Sequence, residues 1–273
     1  MRLDFISTLI SYEVYCKQGI YTLEKWNELM IEPYWPKISE WALGDTNHLK
    51  PPLISDGDIA EKIRELYYTI NISRYEQVFK EVMDALPKDD EDPMVVAFYP
   101  SDSRMPEGIY GTGVWGNVIL NVNPLNKECK KWIPFIFAHE YHHCVYGFYW
   151  YCQRGGADMK GIFLENLISE GEADAFAQSL YPDMQPSWHS GVTDDLEESV
   201  WEKIKGILYK QLSVEDSAKY MFGNEELGIP QNAGYYFAIR IVKAYLKRNP
   251  NTTFSELIKV PHEQIYLESG YHV

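Results

Sequence analysis

Cysteine is scarce in this chain. The 273 residues include four, Cys16, Cys129, Cys144 and Cys152, irregularly spaced and without a Cys-x-x-Cys pair. That excludes a disulfide framework and a zinc ribbon, so reduced thiols are expected, with Cys144 a small buried hydrophobe. Positive charge is also short: 25 Lys and Arg stand against 40 Asp and Glu, a formal net charge of -15. Such a surface repels phosphate backbones and anionic lipid, and no local basic patch offsets it, so neither nucleic acid nor membrane is an expected partner. Long apolar runs are missing as well. No segment approaches the roughly 18 uncharged apolar residues of a membrane span. The opening "MRLDFISTLISYEVYCKQG" is interrupted by Asp4 and Glu13 and lacks a small-residue cleavage site, so an unexported, cytoplasmic protein is expected.

What the chain has is core-forming material: 45% hydrophobic and 15% aromatic residues, ample for one large domain or two small ones. Apolar residues recur at three- and four-residue spacing near 4–17, 22–31 and 58–86, so residues 1–92 read as an N-terminal helical region. "LPKDDEDP" (86–93) is an acidic, proline-bounded turn or linker. "MVVAFYP" (94–100) is β-branched and aromatic, and "NVILNVNP" (117–124) alternates with the two-residue period of a half-exposed strand; "PEGIYGTGVWG" between them reads as turns. From about residue 131 helical spacing returns, near 133–150, 161–181, 195–211, 214–221, 231–248 and 253–258. Helices, a small sheet, then helices make an α+β protein, with a second domain expected over 93–273.

The chemistry concentrates in "IFAHEYHHCVYG" (136–147), which holds three of the seven histidines. His139, Glu140 and His143 fit His-Glu-x-x-His. Positions four apart share a helix face, so two imidazoles can reach one ion while the glutamate beside the first can activate water. Pro134 suits a helix's first turn and Gly147 its end. His142 competes with His143 as the partner of His139; only His143 leaves Glu140 in the position of a general base. A catalytic zinc needs a third protein ligand. "FLENLISEGEADAFAQSL" (163–180) offers one. At 100° per residue Glu170 and Asp174 fall within about 40° of each other beside Phe163, Leu167 and Gly171, the inward face, whereas Glu165 and Glu172 fall on a side expected in water. Glu170 is therefore the expected third ligand and Asp174 the group holding a ligand histidine by its free ring N–H. Gly171 weakens the helix, which makes sense if it admits a neighbouring helix or the metal.

"HEYHH" followed by "LISEGEADAFA" resembles the YjaZ-like family of predicted zinc-dependent proteases, gluzincins typified by thermolysin. "GNVILNVNP", "AGYYFAIRIVKAYL" and the tail "LESGY" extend the likeness from about residue 90 onward. The resemblance implies a zincin-like fold, Zn2+ as cofactor, His139, His143 and Glu170 as ligands and Asp174 four residues on. Ala238 stands where the family is expected to carry the second glycine of Gly-Tyr-x-x-Gly, and Glu172 takes a position often apolar.

The implied reaction is hydrolysis of peptides or unfolded proteins, with Glu140 as general base. Tyr235 is the expected oxyanion donor: it shares an inward stripe with Ala238, Ile239 and Val242, while Tyr236 shares one with Arg240, Lys243 and Lys247 expected to face water. His189, in "PSWHSG", is a further candidate that a surface position explains better. The strand 117–123 precedes the metal helix as the edge strand of zincin-like folds does; Asn117 and Asn121 are placed toward its groove. Against the peptidase stands a non-catalytic interaction or regulatory protein with a structural metal, binding through its aromatic N-terminal region, and, further off, a metal-free helix with core histidines. Oligomeric state is not legible.

Overall fold

Leu3–Ser7 (β1) is a strand, not the start of a helix. Five residues carry no decisive period, and their parallel pairing with Met94–Pro100 (β2), Phe5 opposite Val96, decides the matter. The computed structural model describes residues 2–90 and 92–271. They form an α+β structure that divides into two units, Met1–Phe148 and Tyr149–Val273.

In the first unit β1 is followed by α1 (Leu9–Gln18), two single turns α2 (Leu23–Trp26) and α3 (Trp35–Ile38), then α4 (Gly57–Tyr67) and α5 (Glu76–Ala85). Asp56 caps α4 by accepting from Ile59 N at 3.0 Å. Its buried Ala60, Ile63 and Tyr67 recur at helical spacing, as do Phe79, Val82 and Met83 of α5. Three aromatic residues of this region are core: Tyr12, Tyr15 and Trp26 are almost wholly buried. Their polar tips reach backbone carbonyls, Tyr12 to Ala60 (3.0 Å), Tyr15 to Ile54 (2.8 Å) and Trp26 to Pro51 (3.0 Å).

The sheet continues with β3 (Ile109–Val114) and β4 (Asn117–Val122), in the order β1-β2-β4-β3. β1, β2 and β4 run parallel; β3 pairs antiparallel to β4. β2 and β4 are buried along their whole lengths, as strands covered on both faces must be. The expected edge strand is therefore an interior one, and the edges are β1 and β3, the latter being the segment read as turns. Trp115 and Gly116 join β3 to β4 with positive φ at both positions, 46° and 96°, the pattern of a type I′ hairpin. Asn117 does not face a groove: its Oδ1 accepts from Val95 N at 2.8 Å and its Nδ2 donates to Ile38 O at 2.8 Å. Asn121 is buried too.

α6 (Cys129–Gly147) ends at the expected glycine but starts a turn earlier than expected, with Pro134 in its interior. Proline supplies no N–H to the carbonyl four residues back, and the Tyr75 hydroxyl donates to that carbonyl, Lys130 O, at 3.4 Å. Phe137 of α6 stacks on Phe79 of α5 with ring centroids 3.8 Å apart, and Tyr141 donates to Leu86 O at 2.9 Å.

The second unit holds α7 (Phe163–Leu180), α8 (Asp194–Lys205), α9 (Val214–Met221), α10 (Ala233–Arg248), the turn α11 (Phe254–Leu257) and α12 (His262–Ser269). Leu167, Ile168, Trp201, Phe237, Ile241 and Ile265 make its core. α7 and α10 touch backbone to backbone: a side chain at Gly171 would put its Cβ 2.3 Å from Ala238 O. Gly171 thus admits a neighbouring helix, one of its two expected uses. Among the described residues no helix is long and apolar enough to cross a membrane.

Candidate metal centre

α6 is buried on nearly all sides, so its polar residues are held by packing rather than left in water. His139 and Glu140 are 8% and 9% exposed. One turn apart, the Nε2 atoms of His139 and His143 lie 3.1 Å from each other. Two nitrogens at ordinary zinc distances in a tetrahedron are separated by about 3.4 Å, a spacing close to that of this pair. His142 points elsewhere; it is fully buried and stacks on Tyr146.

One ligand atom from each of His139, His143 and Glu170 lies within 4.8 Å of the others, a group able to hold a metal ion. Two imidazoles and a carboxylate are the borderline-hard donor set that zinc accepts, so the chemistry of these residues fits that ion.

Asp174, one turn beyond Glu170, is fully buried. Trp188 Nε1 donates to its carboxylate at 3.0 Å, and His189 Nε2 stands 2.8 Å from Oδ2. His189 is thus no surface residue, its side chain being 11% exposed. Nothing local announces this, because its partner lies 15 positions upstream.

Two other expectations about α7 are corrected. Glu165 and Glu172 are not in water but 6% and 1% exposed. Glu165 takes backbone N–H donors from Lys160 (2.7 Å) and Gly161 (2.8 Å), closing the loop before the helix. At Glu172, burial pushes the carboxyl well above the usual carboxylate range, which favours its neutral form. The stripe argument assumes one wet face, and α7 has almost none.

α10 departs in the same way. Tyr236 is 2% exposed and donates to Glu197 Oε2 at 2.7 Å. Arg240 lies over its ring at 3.5 Å. Tyr235 is half-buried and packs on Phe222, ring centroids 5.5 Å apart.

The residues that sequence reasoning missed are Gly111 and Gly113 of β3, against which Glu140 lies. A signal was present: Tyr110, Thr112 and Val114 alternate with the glycines, a strand period with one bare face.

No curated protein and no solved structure matches the chain. A family model does match, over residues 73–267, and takes in both helices that carry the histidines and Glu170. The chain belongs to the family described as predicted Zn-dependent protease (DUF2268).

Proposed function

We propose that this chain is a zinc-dependent peptidase of the gluzincin type, on a zincin-like scaffold, that hydrolyses peptides or unfolded proteins. The observation that carries the reading is the convergence of His139, His143 and Glu170, with Glu140 adjoining the first of them in the sequence. A structural site has no use for a base beside its ligands; a hydrolytic one does. Zinc held by these three side chains would supply Lewis acidity toward a scissile carbonyl and toward water.

The chain's own groups divide the remaining work. Glu140 accepts a proton from the attacking water and returns it to the departing amine as the C–N bond breaks. Asp174 orients a ligand imidazole through its ring N–H. Tyr235 donates to the developing oxyanion; His189, steadied by Asp174, is the second candidate for that bond. An extended peptide adds to the open edge of β3, a mode that reads main chain before side chains and suits unfolded substrates. Four free cysteines fit action in a reducing cytoplasm.

Much of the aromatic content of the N-terminal region is spent on packing, Tyr12, Tyr15 and Trp26 being buried, while Trp41 and Tyr68 are exposed. The deciding experiment follows hydrolysis of an unstructured protein by wild type and Glu140→Gln, with zinc measured in both. The expected outcome is a loss of at least about 1,000-fold in kcat with zinc retained. Equal turnover in both, or none in either, would favour a metal-bearing protein that cleaves nothing.

A further inference from the structure

Gly111 and Gly113 are in a strand, where glycine costs stability and packs nothing. Neither has the positive φ that would call for glycine on backbone grounds. Space is the remaining reason. A Cβ built on Gly111 would stand 2.2 Å from Glu140 Cγ and 2.6 Å from both Cδ and Oε1. A Cβ on Gly113 would meet Glu140 Oε2 at 3.4 Å and His143 Cβ at 3.8 Å, which is ordinary contact. Two positions on one face of the same strand therefore make opposite demands. The bare backbone at 111 is required by the seat that Glu140 takes; the one at 113 is merely compatible with it.

We propose that Gly111 is a positioning residue for Glu140: the missing side chain lets β3 lie directly on the glutamate stem and fixes where its carboxylate rests. β3 is pinned by its full antiparallel register with β4, Gly111 opposite Leu120. α6 is fixed by burial on nearly every side. Neither backbone can yield cheaply, so a methyl group at 111 displaces the soft element, the Glu140 side chain. The three atoms that a Cβ at 111 meets first all belong to Glu140. Substitution at 111 moves the base and leaves the ligands in place.

The proposal rests on the peptidase reading for its kinetic consequence, but not for its structural one, and the test keeps the two apart. Gly111→Ala and Gly113→Ala are made in wild type and in Glu140→Ala, which lacks the Cγ that is struck. Thermal midpoints are measured on metal-free protein, and zinc content, kcat and KM on metal-loaded protein.

In the Glu140 background Gly111→Ala is expected to lower the midpoint by about 5 °C. In the Glu140→Ala background it should leave the midpoint unchanged or raise it by about 1–2 °C, since alanine restricts the unfolded chain. Gly113→Ala should show a smaller difference between backgrounds. Zinc stays at one per chain in Gly111→Ala, kcat falls roughly 100-fold and KM holds within about threefold, the split of a misplaced base.

An equal midpoint shift in both backgrounds overturns the proposal. So does full kcat in Gly111→Ala when Glu140→Gln is inactive. If Gly111→Ala does not fold, recovery of folding in the double variant supports the contact and failure there overturns it. A wild type that hydrolyses nothing defeats the peptidase reading, and the midpoints then decide Gly111 by themselves.

Discussion

The two units bury polar groups in different ways. In Met1–Phe148, away from α6, the buried polar side chains are mostly neutral, asparagines, hydroxyls and phenols, and those of Asn117, Thr8, Tyr12 and Tyr15 reach main-chain partners. In Tyr149–Val273 a single helix, α7, buries Glu165, Glu172 and Asp174 and carries Glu170 as well. Each carboxylate there has its own arrangement: backbone N–H donors for Glu165, an indole and an imidazole for Asp174, and a strong bias toward the neutral form for Glu172. Burial of a carboxylate therefore does not by itself mark function. Glu165 is as buried as a ligand and serves a loop. What singles out Glu170 is the company of two imidazoles.

Three substitutions break or sharpen that contrast. The largest effect is expected at Gly171→Ala. The new Cβ meets backbone, Ala238 O at 2.3 Å, so no rotamer change relieves it. Denaturant unfolding should show a loss of about 3 kcal/mol. A loss under about 0.5 kcal/mol would mean that α7 and α10 are free to part.

Of comparable size is a pH dependence that belongs to the second unit. Burial lowers the His262 imidazole from 6.5 to about 4. It packs beside Trp150, ring centroids 5.0 Å apart. Below pH 6.5 the unfolded chain takes up a proton that the folded imidazole refuses. The contribution is complete above about pH 6.5 and is lost as pH falls to about 4, about 3 kcal/mol in all. His262→Gln should flatten the stability profile across that window, read by unfolding at half-unit pH steps; an unaltered slope would place the titration elsewhere.

The smallest is Tyr15→Phe in the first unit, which removes the 2.8 Å bond to Ile54 O. A loss of about 1 kcal/mol is expected. Because burial pushes that phenol up to about 12, the loss should be the same at every pH between 4 and 8. A pH-dependent loss would erase the distinction between the two units.

The same contrast explains what the sequence could disclose. The histidine helix was legible because its signal is local: spacing of four, a terminal glycine and apolar flanks. β1 and β3 were not, since Leu3–Ser7 becomes a strand only by pairing with β2 ninety residues away, and the glycines of β3 mimic a turn. Face assignments along α7 failed for Glu165 and Glu172 because periodicity distinguishes inside from outside only when one side is wet; on α10 Lys243 and Lys247 are exposed as expected, and Tyr236 of their stripe is buried, bonded to Glu197. Glu170 and Asp174 were placed together because one turn of helix separates them, whatever surrounds it. His189 was beyond reach, since only the folded chain brings it to Asp174.

Zinc titration of wild type beside His143→Ala and Glu170→Ala is the decisive measurement for the proposal that His139, His143 and Glu170 jointly hold one ion. One zinc per chain is expected in wild type, with affinity reduced by more than about 100-fold in each variant. Unchanged affinity in Glu170→Ala would contradict the account.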